Sequence, residues 1–277
     1  MKYIFVHGGP GLNSNPERNI LKPLIEVQGH ELLFWNEPSL LRGQICDQDH
    51  AYQYWLNSLS NFIIKNSGQE QVAIIAHSFA AFAINDILPE VGTKIGKLIL
   101  IAPVFDLMKL DQNLIDLAIR FHARDANIAG IVELEELKRN MPDNFNEKRF
   151  SIILKAIGHE EVLPSYWHNK KVSALYNQFF VEDQYQFDLQ SFKAVRQTIT
   201  HEKVRNRFSG TVKIYYGALD PVARLEQDYA LLMDLYPNHR LLIGKESGHY
   251  PHIEEQELFS KHFFEEDHLA LGGENRI

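Results

Sequence analysis

Val72-Ala73-Ile74-Ile75-Ala76-His77-Ser78-Phe79-Ala80-Ala81-Phe82 is the stretch from which the fold of this 277-residue chain is read. Val72–Ala76 is an unbroken apolar run, the pattern of a strand buried on both faces. Phe79–Leu88 continues at helical spacing, with no turn residues in between. A chain that passes from strand to helix over one or two residues turns sharply at Ser78. A serine on such a turn is held with its hydroxyl exposed beside a helix N-terminus. Its flanking positions must be small, because strand and helix backbones pass close there, and Ala76 and Ala80 satisfy that. A serine that only caps the helix is the competing reading.

Three more stretches follow apolar runs in the same way. His7-Gly8-Gly9-Pro10-Gly11 comes directly after Tyr3–Val6. Acyl transfer needs fixed N–H donors for a developing oxyanion. One comes from the residue after the nucleophile, here Phe79, and the other from a glycine-rich loop, here assigned to Gly9. Pro10 has no N–H to give, and His7 reads as a structural hydrogen-bonder. A Gly-Pro turn that only reverses the chain is the plainer alternative.

Tyr216-Gly217-Ala218-Leu219-Asp220-Pro221 follows Val212–Tyr216, and Glu246-Ser247-Gly248-His249-Tyr250 follows Arg240–Ile243. An acid at 220 can orient an imidazole and stabilise its charged form, while His249 takes the serine proton. Asp220 also reads as the start of an Asp-Pro turn, and Asp106 competes for its role. The chain has 13 histidines, and His249 stands out by its place past the last strand. His249 with His252 is a possible metal pair, but no cysteine cluster or facing carboxylate motif accompanies it. The expectation is no metal and no organic cofactor.

Six apolar runs are expected as strands: Tyr3–Val6, Leu32–Trp35, Val72–Ala76, Leu98–Ile101, Val212–Tyr216 and Arg240–Ile243. They lack in/out alternation, which indicates a parallel sheet covered by helices. Ala51–Lys65, with Asp47 or Asp49 as its cap, Gln227–Tyr236 and Glu254–Phe264 are expected helices. About 110 residues separate the fourth and fifth runs, far more than one crossover helix requires. Residues 106–207 are therefore expected to be a helical cap, with helices over Leu107–Phe121, Ile131–Arg139, Lys148–Ile157, Val172–Phe180 and Phe192–Val204. Residues 1–105 and 208–277 form the core, and the stretch from 265 onward is expected to be weakly docked.

Net charge is −8, and no basic cluster suited to nucleic acid exists. Lys203, Arg205 and Arg207 read as a solvated helix face. Cys46 is the single cysteine, so no intrachain disulfide forms. Met1–Val6 is too short an apolar start for a signal peptide, and no run approaches the ~20 residues of a membrane span. A cytoplasmic protein acting on a small molecule is expected, its oligomeric state open.

With these four stretches the chain resembles the α/β-hydrolase superfamily over nearly its whole length. The order Ser78, Asp220, His249 is that superfamily's chain order. The resemblance implies a mostly parallel sheet with a helical cap. Because the chain begins at the strand leading into His7-Gly8-Gly9, an all-parallel six-stranded sheet is expected. The His7–Gly11 loop is similar to that of proline iminopeptidases, whereas Ala76-His77-Ser78-Phe79-Ala80 departs from their Gly-rich, Trp-containing turn. Glu133, Glu135 and Glu136 are candidates to bind a substrate amine, or a solvated face beside Lys138 and Arg139. The expected activity is cleavage of an ester, amide or thioester through Ser78, His249 and Asp220. The alternatives are a proline iminopeptidase-like aminopeptidase and a non-catalytic binding or scaffold protein. Phe121, Tyr166, Trp167, Tyr176 and Phe179 read as an apolar pocket lining or as helix cores.

Overall fold

The computed structural model describes residues 1–40, 43–44, 47–182 and 187–265. Cys46 and the tail from 266 lie outside the described residues.

Each apolar run forms a strand: β1 (Lys2–Val6), β2 (Glu31–Trp35), β3 (Val72–His77), β4 (Ile95–Ile101), β5 (Thr211–Gly217) and β6 (His239–Gly244). They make one sheet in the order β2-β1-β3-β4-β5-β6, and every neighbouring pair is parallel. All six residues of the central β3 are buried, as its unbroken apolar run requires. The edge strand β6 is buried only at Gly244.

Parallel neighbours need crossovers, and helices supply them. α1 (Asn15–Glu26), α2 (Ala51–Ser67) and α3 (Phe79–Val91) link the first four strands. The chain runs from β1 outward to β2, then returns to place β3 on the other side of β1. Strand order thus reverses between β1 and β3, and ligands of open α/β sheets bind in the crevice outside the strand ends at such a point. The loop after β1 and the turn after β3 both open there.

Between β4 and β5 lie α4 (Leu107–Arg124), α5 (Ile128–Arg139), α6 (Glu147–Ile157), α7 (Lys170–Glu182) and α8 (Leu189–Gln197). This insertion has its own apolar cluster, including Leu114, Ile115, Leu134, Ile152 and Ile153. Its entry and exit are zipped together: Val204 N donates to Phe105 O at 3.0 Å and Leu107 N to Glu202 O at 2.8 Å. Beside that zipper, Arg149, fully buried, pairs with Asp111 and Glu202, and Arg196 also pairs with Asp111. Buried charges are tolerable only when paired in this way.

After the insertion come α9 (Leu225–Leu235), α10 (Pro251–Glu254) and α11 (Gln256–Ser260), followed by a π turn at Lys261–Glu265. The expected single helix Glu254–Phe264 is thus broken, and it starts earlier, with Pro251 in the first turn. The expected helix Phe192–Val204 ends at Gln197, where the Thr198 hydroxyl bonds back to Ala194 O. Lys203, Arg205 and Arg207 lie on irregular chain rather than a helix. Lys203 and Arg207 are solvated, paired with Asp106 and Asp234. Asp47 caps the short 3-10 turn Gln48–His50 that precedes α2, not α2 itself. Among the described residues, no helix is long and apolar enough to cross a membrane.

Candidate active site

Ser78 sits between β3 and α3 with φ 54 and ψ −121, a left-handed backbone that costs a non-glycine residue on the order of 1–3 kcal/mol. The surroundings hold it there. Ser78 N donates to Ile101 O at 2.9 Å, and Ser78 O accepts from Ala81 N and Val104 N. Ala76 and Ala80 are fully buried, so larger residues would part strand from helix. Gly8 is required for the same reason: a Cβ there would stand 3.3 Å from Ser78 Cβ and 3.0 Å from His77 Nδ1.

The sheet brings three distant side chains together at its C-terminal edge. His249 Nε2 lies 2.9 Å from Ser78 Oγ, and His249 Nδ1 lies 2.8 Å from Asp220 Oδ2. The other carboxylate oxygen, Oδ1, accepts from Val222 N at 2.8 Å and Ala223 N at 3.0 Å, which fixes the carboxylate's rotation. Ser78, His249 and the Asp220 carboxylate are all buried. The competitor Asp106 is elsewhere: it caps α4, accepting from Lys109 N at 3.0 Å.

The histidine loop is fixed from three sides. Gly217 at the end of β5 packs directly on it, since a Cβ there would overlap Gly248 O. Gly248 N donates to Glu254 Oε2 at 2.7 Å. From the insertion, Tyr166 O accepts from His249 N at 2.7 Å, and the Tyr166 ring meets the imidazole edge-on at 5.1 Å. Trp167 stacks on Tyr250 at 4.1 Å and 3°. The roles of the Tyr166 carbonyl and Glu254 had no sequence signal, being backbone and loop contacts between remote segments.

At the loop after β1, Gly9 and Gly11 have φ of +125 and +91, conformations glycine adopts without strain. Gly11 N donates to Glu37 Oε1, whose partner oxygen takes Trp55 Nε1 at 2.8 Å. Gly11 O accepts from Asp188 N of the insertion at 2.9 Å. Phe79 N opens α3, where no intrahelical acceptor exists. His7 Nδ1 lies 2.6 Å from Gly8 O and Nε2 takes Glu37 N at 3.3 Å, a structural place.

His252 does not join His249 in a metal pair facing Ser78. It lies behind the turn with its ring 4.9 Å from that of His77. Burial pushes His77 well below the usual imidazole range and His252 down to about 3, so both rings are neutral. Glu17, on α1, lies beside them, and burial lifts its carboxyl to about 7. Glu133 is half exposed and paired with Lys155, and Glu135 and Glu136 are exposed too: a solvated face. Trp167 and Tyr176 are buried in the main core, Tyr166 and Phe179 pack against it, and Phe121 packs on the insertion's own cluster.

No family model and no curated protein sequence matches the chain. Solved structures do. An esterase from Exiguobacterium antarcticum is 18% identical, with 98% of this chain and 91% of that one covered and a TM-score of 0.62. A proline iminopeptidase-related protein from Thermus thermophilus is 18% identical over 95% of this chain and 88% of its own, TM-score 0.69. An epoxide hydrolase from Bacillus megaterium is 13% identical over 98% and 92%, TM-score 0.56. With its parallel sheet, its flanking helices and this likeness over whole chains, the protein has the α/β-hydrolase fold.

Proposed function

We propose that the protein is a serine hydrolase that cleaves an ester, amide or thioester of a small substrate. The single observation that carries this reading is the relay Ser78 Oγ, His249 Nε2, His249 Nδ1, Asp220 Oδ2, with links of 2.9 Å and 2.8 Å. A serine hydroxyl is a weak nucleophile until a neighbouring base takes its proton.

In the reaction, Ser78 Oγ attacks the substrate carbonyl carbon while His249 Nε2 accepts the hydroxyl proton. Asp220 holds the other ring nitrogen's proton and stabilises the imidazolium without taking that proton. The carbonyl oxygen becomes an oxyanion, held by the N–H groups of Gly9 and Phe79; one such donor is typically worth about 10²–10³ in rate. The C–O, C–N or C–S bond then breaks, and His249 returns the proton to the leaving group. Water, deprotonated by the same imidazole, attacks the acyl-serine and releases the acid. A serine at 78 favours this over epoxide opening by a carboxylate nucleophile. The solvated Glu133, Glu135 and Glu136 offer no buried reader for a substrate amine, which favours an esterase over an aminopeptidase.

The insertion serves as the lid of this site. Its contacts with Gly11 through Asp188 and with His249 through Tyr166 support that reading. The test is a panel of p-nitrophenyl esters of graded acyl length beside aminoacyl-anilides, with wild type and Ser78→Ala. Ester turnover that disappears in Ser78→Ala supports the reading. Turnover of prolyl-anilide alone points to an aminopeptidase, and turnover unchanged in Ser78→Ala rejects a serine mechanism.

A further inference from the structure

We propose that Glu17, His77 and His252 form a binding site for one divalent transition-metal ion, zinc being the best match, behind the nucleophile turn. The inference departs from the sequence expectation of no metal and does not depend on the serine mechanism. The three residues come from three elements, the first turn of α1, the end of β3 and α10. Their ligating atoms all lie within 4.8 Å of one another. None is more than 1% exposed.

The polar atoms of this cluster lack what burial demands. Glu17 Oε2 and both ring nitrogens of His252 have no hydrogen-bond partner. Buried polar groups are otherwise almost always paired, and an unpaired one needs an explanation. Among the described residues, no lysine or arginine pairs with Glu17, so its carboxylate has no cation. A divalent ion held between them would give Glu17 Oε2 and one nitrogen of His252 a partner.

The donor set matches zinc in type: two imidazoles and a carboxylate, with a fourth position left for water. Bonds of about 2.0–2.2 Å place tetrahedral ligands about 3.3 Å apart, so ligating atoms now within 4.8 Å of one another draw together on binding. Outer contacts of the kind that orient metal ligands are present. His77 Nε2 donates to His249 O at 2.9 Å, which leaves the lone pair on its other nitrogen. Tyr176 of the insertion donates its hydroxyl to Glu17 Oε1 at 2.7 Å, leaving Oε2 for the ion.

An ion here acts as a staple. It joins residues 17, 77 and 252, steadies the residue next to Ser78, and reaches the histidine loop through the carbonyl of His249. It takes no part in a chemical step.

The experiment is metal analysis of the full-length protein made in zinc-supplemented medium and freed of loose metal by gel filtration. One zinc per chain is expected. Glu17→Gln and His252→Gln lose it, with affinity down by well over the ~10–100-fold that even outer-contact changes cost. His159→Gln, which removes a histidine paired with Asp125 in the insertion, keeps it. The unfolding temperature rises with added zinc only in proteins that bind it. Wild type free of stoichiometric zinc overturns the proposal, as does zinc undiminished in Glu17→Gln and His252→Gln or lost in His159→Gln. Should the cluster variants not fold, cobalt-substituted wild type decides. Intense visible bands of a tetrahedral nitrogen–oxygen site support the proposal, and the weak bands of a hydrated, octahedral surface ion overturn it.

Discussion

The backbone N–H of His249 donates to the carbonyl oxygen of Tyr166 at 2.7 Å, so the loop that carries the candidate base hangs from the helical insertion. The next residue on each side repeats the link, Trp167 lying flat on Tyr250. Any shift of the Tyr166–Trp167 segment would therefore be passed to the histidine loop.

Trp167→Ala removes that stack without deleting any reacting group. A misplacement of about 1 Å costs on the order of 10² in rate, so kcat is expected to fall by about tenfold or more with little change in KM. Removing a buried aromatic also costs about 3–5 kcal/mol of stability. Steady-state kinetics on the best ester and urea unfolding check the two halves separately.

Asp220→Asn tests the tautomer. Oδ1 of Asp220 is committed to two backbone N–H groups. An asparagine that keeps those bonds turns its NH2 toward His249 Nδ1, so the ring proton moves to Nε2 and points at Ser78. The imidazole can then no longer accept the serine proton. A loss of about 10⁴ in kcat is expected, as in the analogous substitution of other triads, partly recovered at high pH. The folded structure and its unfolding midpoint should change far less.

Asp228, on α9, gives a pH signature of stability. It is buried beneath the Tyr216 hydroxyl at 3.3 Å, and burial lifts its carboxyl from 3.8 to about 7. Across that window the folded chain holds a proton that the unfolded chain has released. Stability therefore falls as pH rises from about 4 to 7 and levels off above. In Asp228→Asn this fall is absent. Relative to wild type, the variant gains roughly 2–4 kcal/mol between pH 4 and pH 8, at ~1.4 kcal/mol per pH unit. Denaturant midpoints across that range, read as a difference between the two proteins, check it.

The strands were legible because a parallel sheet buries both faces, so that each apolar run stood out without a partner. Ser78, Asp220 and His249 were legible because each follows such a run at the one sheet edge where loops converge. α1 was not, although Ile20, Leu21, Leu24 and Ile25 lie at helical spacing. Pro23 reads as a helix breaker, yet here it sits inside α1. The break in the last helix was hidden likewise, because apolar spacing does not register Glu255 leaving helical geometry at φ −122. The Glu17–His77–His252 cluster was invisible for a different reason. Its carboxylate is 235 residues from His252, and only the topology of the sheet puts the two side by side.

A fluorophosphonate warhead tests whether residue 78 is an activated nucleophile without any guess about substrate. Intact mass and peptide mapping of the treated protein should show a single phosphonyl adduct, carried by Ser78. The rate of labelling should drop by about 10³ or more in His249→Ala, because an unassisted hydroxyl is unreactive. Wild-type protein that stays unlabelled, or an adduct mapped to any other residue, would contradict the account.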